Sequence, residues 1–177
     1  MMPPLGLESG AVRVVGYDPR WPTLFEAEVE RLSGAIAPPV LHLEHVGSTA
    51  VPGLAAKPVL DILAGYREPA SEQRYIAALG AAGYEDRGEQ GIPGRQFFRR
   101  GQPRAYHVHL TLVGSAFWHD HLDFRTLLRS NPERRAEYAR LKQELAARHP
   151  RDREAYIDGK SAFVLAALRE WRAGGEA

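Results

Sequence analysis

The sequence predicts an α+β protein with a small mixed β-sheet, helices on one face of that sheet and a helical C-terminal third. Two observations carry this prediction. Residues 12–113 mix short apolar, strand-like runs with glycine and proline, whereas residues 115–172 show an almost unbroken helical pattern. The length of 177 residues fits one domain, so we expect residues 1–177 to form a single unit.

In the sheet-containing core, hydrophobic runs bounded by turn residues define the strands. They fall at residues 12–15, 40–46, 59–63, 96–99 and 105–113. Helices are predicted over residues 23–36, which Pro38 and Pro39 follow, and over residues 71–82, with Ser71 as a candidate cap.

The C-terminal third is predicted to consist of three helices, over residues 116–129, 132–148 and 151–171. Asn131-Pro132 supplies a cap followed by proline at the first helical position, and Pro150 separates the last two helices. The connections are short, so these helices should pack as antiparallel neighbours.

Composition excludes several classes of protein. With 23 Lys+Arg against 22 Asp+Glu, the net charge is only +1, which argues against a nucleic-acid or membrane-surface partner. The absence of cysteine excludes disulfides and thiol nucleophiles. No membrane span or signal peptide is recognisable, so we expect a cytoplasmic location. The Gly-x-Ser-x-Gly, P-loop and dinucleotide-binding motifs are also missing.

The loop after the second predicted strand has the chemistry of a phosphate site. Gly47 lets the backbone approach a ligand, Ser48 and Thr49 offer hydroxyls, and nearby amides can form an anion-binding nest. Asp61, in the next strand, could hold a divalent cation that bridges phosphates. Lys57 lies close enough in sequence to neutralise a phosphate. The alternative interpretation is a hairpin-like turn with a surface aspartate.

Two histidines alternate along the last predicted strand. Strand periodicity puts His107 and His109 on one face, away from the apolar residues between them. Together with His45 and Asp61 they could form a site that suits zinc, manganese or iron better than magnesium. Two other interpretations stay open: the imidazoles contact a phosphate, or their role is structural.

Cations interrupt the apolar stripe of the last helix. Arg153 and Lys160 fall within the stripe formed by Ile157, Val164, Leu168 and Trp171. A shared anionic ligand explains both, although snorkelling or pairing with Glu44 or Asp61 would also satisfy them.

The preceding helices carry two more basic residues. On the helix at 116–129, Arg125 lies in a stripe with Trp118, an arrangement that can clamp a phosphate or form a packed rim. Lys142, on the next helix, is expected to be solvated.

Residues 45–62 closely resemble the signature of the GrpB family (UPF0157), a branch of the nucleotidyltransferase superfamily. The resemblance continues through residues 106–110, 118–129, 138–145 and 152–163, the last of which contains Tyr156 and Lys160. It implies a nucleotidyltransferase-like sheet that carries the Gly-Ser loop and the acidic strand. Related domains are fused to dephospho-CoA kinase, which implies a nucleotide or a coenzyme A precursor as ligand.

One position departs from the nucleotidyltransferase pattern. Active members carry two carboxylates at alternate positions of one strand to share two metal ions, whereas Leu63 replaces the second carboxylate here. Two hypotheses follow. One is nucleotidyl or phosphoryl transfer dependent on a divalent metal (Mg, Mn or Zn), with Asp61, His107 and His109 as catalytic residues. The other is a non-catalytic binding module. In both, the predicted ligand contacts are Gly47, Ser48, Thr49, Lys57, Arg125, Arg153, Tyr156 and Lys160.

Overall fold

The computed structural model describes residues 4–36 and 42–174, and these form the predicted α+β architecture. The described helices and strands are α1 (Trp21–Ala35), β1 (His42–Val46), β2 (Leu60–Tyr66), α2 (Glu72–Ala81), β3 (Glu85–Asp86), β4 (Arg95–Arg100), β5 (Tyr106–Leu112), α3 (Ala116–Ser130), α4 (Pro132–Arg148) and α5 (Arg153–Gly174). Short 3-10 turns lie at Ser48–Ala50 and Pro69–Ser71.

The five strands form one mixed sheet in the order β1-β2-β5-β4-β3. Strands β2 and β5 are parallel, and every other neighbouring pair is antiparallel. Across the parallel pair, Asp61 lies opposite His107 and Leu63 lies opposite His109. The register therefore brings the acidic strand and the histidine strand side by side.

One face of the sheet is closed by α1 and α2. Ile62, Val108 and Leu110 are fully buried there, against helix residues that include Leu32 and Leu79. Alternation along β5 therefore confirms that the apolar residues face these helices, and His107 and His109 point to the other face.

The second face is covered only in part, by α3. Trp118 of α3 packs against Val46 and Leu63 at this face. A Cβ at Gly65 would lie 2.4 Å from Trp118 Cζ3, so this close approach of helix and strand requires glycine. The uncovered part of the face opens into a cavity beneath α4 and α5.

Local sequence signals predict most of the helices and strands. Both α3 and α4 have a side-chain cap at the N-terminus. The Ser115 hydroxyl accepts a hydrogen bond from the amide of Trp118. The Asn131 side chain accepts one from the amide of Arg134. Ser71 precedes α2, but its hydroxyl donates to the carbonyl of Glu68 and does not cap the helix.

Two strand predictions and one unpredicted strand need comment. Among the described residues, residues 12–15 pair through a single bridge between Val15 and Ala56 and so form no strand. Strand β3 was not predicted, since its two residues are both acidic and carry no apolar pattern. The predicted start of β1 at residues 40–41, like Pro38 and Pro39, lies outside the described residues. No helix within the described ranges is long and apolar enough to cross a membrane.

Candidate functional site

A cavity of about 480 Å³ lies between the open face of the sheet and the C-terminal helices. All but two of the residues predicted for the site line it. These are Gly47, Ser48, Thr49, Lys57, Asp61, His107, His109, Arg153, Tyr156 and Lys160. The Gly-Ser loop, the acidic strand, the histidine strand and the last helix therefore converge on one space.

Gly47 brings the loop against the acidic strand. Its φ of +72° lies in the region that favours glycine, and a Cβ there would be 2.8 Å from Asp61 Oδ2. The 3-10 turn that follows directs the Thr49 side chain inward, where its hydroxyl and the His45 Nε2 atom are 2.9 Å apart. Thr49 therefore stabilises the Gly-Ser loop through this hydrogen bond.

A chain of hydrogen bonds orients Asp61. His107 Nδ1 is 3.0 Å and His109 Nε2 is 3.3 Å from the same oxygen, Asp61 Oδ1. Arg95 Nη1 lies 3.4 Å from His109 Nδ1. Because a guanidinium can only donate, His109 Nδ1 accepts from Arg95, and its Nε2 carries the proton that is donated to Asp61.

Burial and hydrogen bonding together determine the charges of Asp61, His107 and His109. Burial lowers the pKa of both His107 and His109, so both rings are neutral at neutral pH. Burial alone would raise the pKa of Asp61, but the hydrogen bonds from His107 and then His109 outweigh it and hold that pKa well below its ordinary value. The site therefore contains one ionised carboxylate held by two neutral imidazoles.

All three lysines of the chain line the cavity. The sequence contains 23 Lys+Arg, of which only Lys57, Lys142 and Lys160 are lysines, leaving 20 arginines. The Nζ atoms of Lys57 and Lys160 lie 5.0 and 4.6 Å from the ring centroid of Tyr156. Within the described ranges, none of these three ammonium groups has a carboxylate at ion-pair distance.

Burial lowers the pKa of all three lysines, and neighbouring cations add to the shift. For Lys57, burial and the neighbouring Lys160 lower the pKa to about 7. For Lys142, burial, Lys160 and Lys57 lower it to about 6. Burial lowers the pKa of Lys160 to about 8, although Asp61 opposes this shift. The cluster is therefore only partly charged at neutral pH.

Two arginines extend the positive lining. Arg95 and Arg153 line the cavity, and the Nε atom of each is buried without a hydrogen-bond partner in the described chain. Counting the lining side chains, five are basic and only Asp61 and Glu154 are acidic. The cavity therefore has the electrostatics of an anion-binding site.

Two predicted residues lie elsewhere. His45 lies opposite Ile62, and its ring stacks on Phe25 of α1 at a centroid distance of 4.7 Å, so it belongs to the closed face. Arg125 Nη1 donates to Glu44 Oε2 at 2.8 Å and to the His45 carbonyl at 2.7 Å. Neither lines the cavity, and the predicted roles of His45 at a metal and Arg125 at a phosphate do not fit these placements.

Lys142 and Arg95 are basic residues of the cavity that the sequence did not predict for the site. Lys142 was expected to be solvated, yet it is 2% exposed, and its Nζ donates to Ser48 Oγ at 2.7 Å and to the carbonyl of Ala55. Two signals could have found Lys142. Tyr138, Lys142 and Leu145 recur at the spacing of one buried helix face, and lysine is rare in this chain.

The residues do not fit a two-metal centre. No group of three or more His, Cys, Asp or Glu side chains in the described ranges is placed to hold a metal ion. At the position of the second carboxylate, Leu63 is fully buried in apolar contacts with Val46 and Trp118. Asp61 is the one carboxylate that the two central strands contribute to the cavity lining.

The family model described as "GrpB protein" matches residues 11–170, so the chain belongs to the GrpB family. It is 36% identical over 167 residues to the UPF0157 protein YqkA of Bacillus subtilis, and 43% identical over 162 residues to the UPF0157 protein PA4798 of Pseudomonas aeruginosa. These alignments cover 92% and 89% of this chain, but 49% and 66% of the two relatives. The chain thus spans about half to two thirds of their lengths.

Solved structures support the fold. The crystal structure of the conserved protein GrpB from Enterococcus faecalis matches with a TM-score of 0.83 and 35% identity, covering 93% of this chain and 100% of that one. A Cid1 poly(U) polymerase structure aligns at a TM-score of 0.49 and 11% identity, covering 82% of this chain and 49% of that one. A dephospho-CoA kinase of Mycolicibacterium paratuberculosis is 29% identical over 184 residues, covering 89% of this chain and 45% of the kinase.

Proposed function

We propose that the cavity binds a phosphorylated small molecule, a nucleotide or a coenzyme A precursor, without a two-metal centre. The observation that carries this proposal is the convergence of Lys57, Lys142 and Lys160 on one cavity, where no carboxylate of the described ranges lies at ion-pair distance from any of them. Burying a cation without a partner is costly, and an anionic ligand removes that cost when it binds.

The lowered pKa values of the lysines support this proposal. The pKa values of the three lysines lie between about 6 and about 8, so each lysine exchanges a proton near neutral pH. A bound phosphate stabilises the ammonium form, so binding takes up protons and grows weaker as the pH rises.

Asp61 suggests how such a ligand is oriented. Its ionised carboxylate repels phosphate but accepts hydrogen bonds from hydroxyl groups. The phosphate therefore lies against the lysines, and a hydroxyl group of the ligand, such as one on the ribose of a nucleotide, reaches Asp61. A volume of about 480 Å³ lies in the range of cavities that hold small molecules.

Similarity to a protein named dephospho-CoA kinase is consistent with a coenzyme A precursor as the ligand. The same chemistry is shared by nucleoside triphosphates, since both carry phosphate groups and a ribose.

Isothermal titration calorimetry of the full chain tests the proposal. The ligands are inorganic phosphate, adenosine triphosphate and dephospho-coenzyme A, each with and without manganese. We expect one binding site without metal, and an affinity that falls with ionic strength. Binding of none of the three compounds would contradict the proposal. Binding that requires manganese and is lost in Asp61→Asn would favour metal-dependent transfer instead.

A pair of variants on α5 supplies the matched control. Lys160→Met removes a cation from the cavity, whereas Arg169→Met removes one from the exposed surface of the same helix. We expect Lys160→Met to weaken binding by about tenfold, the loss of one charge-assisted hydrogen bond. Arg169→Met should leave the affinity unchanged.

A further inference from the structure

Ser48 and Lys142 form a hydrogen-bonded pair at the wall of the cavity. Their Oγ and Nζ atoms are 2.7 Å apart, although the residues lie 94 positions apart, on the loop after β1 and on α4. Lys142 is 2% exposed and also donates to the carbonyl of Ala55. Ser48 is half-buried and lines the cavity, so its hydroxyl can reach a bound ligand.

We propose that Ser48 is a nucleophile and Lys142 its general base, so that the protein forms a covalent phosphoryl-serine intermediate. This inference rests on the proposed function, because the electrophile is the phosphorus atom of the ligand in the same cavity. A serine whose hydroxyl contacts a lysine amine within hydrogen-bond distance is an established arrangement for activating a hydroxyl.

The use of lysine at this position supports a proton-transfer role. Surface ion pairs in this chain use arginine, which stays protonated and cannot accept a proton. Lysine can lose its proton when it is buried. Burial, followed by the charges of Lys160 and Lys57, favours the neutral amine of Lys142, whereas the Tyr138 ring, 4.8 Å from Nζ, favours the ammonium form less strongly.

The proposed reaction balances without a metal. Ser48 Oγ attacks phosphorus, the Oγ–P bond forms, and the bond from phosphorus to the leaving oxygen breaks with its electron pair. The Oγ proton passes to Lys142 Nζ, which then donates it to the leaving oxygen. In the second half, the same amine takes a proton from water as water attacks phosphorus, and returns one to Oγ as the Oγ–P bond breaks. Lys57 and Lys160 offset the phosphate charge throughout.

A fluorophosphonate, a phosphorus electrophile that labels activated serines, tests this inference on the full chain. Intact-mass spectrometry and peptide mapping should find one adduct, on Ser48. The labelling rate of the wild type should rise with pH and level off above an inflection near the pKa of Lys142, about 6. A missing adduct, or an adduct at another serine, would overturn the inference.

Variants of Lys142 distinguish a general base from a residue that only contacts the phosphate. Lys142→Arg keeps the positive charge and the donors but cannot accept a proton, so we expect labelling to fall by about a hundredfold, within the range for loss of a general base. Lys142→Met should have the same effect, and Ser130→Ala, at an exposed serine, should have none. Unchanged labelling in folded Lys142→Arg or Lys142→Met would overturn the proposal. The pH profile of the wild type tests it even if both variants unfold.

The calorimetric titration distinguishes the failure of this inference from failure of the proposed function. If phosphorylated compounds bind and Ser48 is not labelled, the nucleophile is wrong and the binding function stands. If Ser48 is labelled through Lys142 and no phosphorylated compound binds, the nucleophile is supported and the proposed ligand class is wrong.

Discussion

Each face of the sheet holds an ionised carboxylate, but the two carboxylates have opposite kinds of partner. On the closed face, Glu28 of α1 accepts hydrogen bonds from Arg31, Arg100 and the hydroxyl of Tyr84, so this carboxylate is paired with two guanidinium groups. On the open face, Asp61 is held by neutral imidazoles, and no carboxylate among the described residues lies at ion-pair distance from the nearby lysines. The difference separates charges that hold the fold from charges left available to a ligand.

The cationic cavity also differs from the core in how its neighbouring groups shift the pKa values of its charged side chains. Burial would raise the pKa of Glu28, but Arg31 and Tyr84, followed by the charge of Arg100, lower it, so this cluster stabilises the ionised form. The lysine cluster does the reverse and destabilises its own charges. Such a cluster costs stability, and binding sites commonly carry that cost.

Glu28→Gln should have the largest effect on stability. It leaves two guanidinium groups without their carboxylate, and breaking such a buried pair should lower the free energy of unfolding by about 2 to 4 kcal/mol. Chemical denaturation measures this, and calorimetry should show unchanged affinity for dephospho-coenzyme A. Weakened binding at full stability would break the proposed separation of the two faces.

Lys57→Met should show the opposite pattern. Lys57 lines the cavity, so we expect ligand affinity to fall by about 1.5 to 3 kcal/mol, the value of a hydrogen bond to a charged group. Stability should not fall, because burial of this ammonium group costs free energy in the folded chain. Calorimetry and denaturation of the same preparation measure both. A stability loss as large as that of Glu28→Gln, with affinity preserved, would show that Lys57 serves the fold.

Gly47→Ala tests whether the loop must touch Asp61. The positive φ and the 2.8 Å approach of a Cβ to Asp61 Oδ2 should together cost about 1 to 3 kcal/mol of stability and displace the carboxylate. Gly53→Ala is the matched control, since it has a similar φ of +77° and open space around it. Equal losses of ligand affinity in both variants would argue against a special role for Gly47.

The stability of the free protein should rise with pH above about 6. Lys142 has a folded-state pKa of about 6 and an ordinary value of 10.5, so the unfolded chain binds more protons between these values. The free energy of unfolding then increases with pH across this window, by up to about 1.4 kcal/mol per pH unit for one fully shifted group. Denaturation curves should show a shallower slope in Lys142→Met. An identical slope would contradict the shift.

The smallest effect is expected for Arg125→Ala. Its guanidinium bonds Glu44 and a main-chain carbonyl outside the cavity, so ligand affinity should change by less than about 0.5 kcal/mol. A tenfold loss of affinity would place Arg125 in the binding site after all.

The sequence allowed the fold and most of the site to be predicted because local patterns carried them. The period of two along β5 was enough to place His107 and His109 on the face away from the helices. The face of His45 depends on its register with β2, where it lies opposite Ile62, and one strand alone does not determine that register.

The remaining errors involve contacts between distant parts of the chain. The partner of Arg125, Glu44, is 81 residues away, and that of Lys142, Ser48, is 94 residues away. Helix periodicity predicts which side of a helix is buried, but the group that meets it follows from tertiary packing. Lys142 was missed because a lone lysine on a helix is ordinarily solvated.

Calorimetry in buffers of different ionisation enthalpy tests the central claim most directly, because it counts the protons exchanged when dephospho-coenzyme A or adenosine triphosphate binds at neutral pH. We predict net proton uptake in the wild type, reduced in Lys57→Met and unchanged in Arg169→Met, because Lys57 lines the cavity and has a pKa of about 7. Binding with no proton uptake, or uptake that is the same in Lys57→Met, would show that the lysine cluster does not receive the ligand.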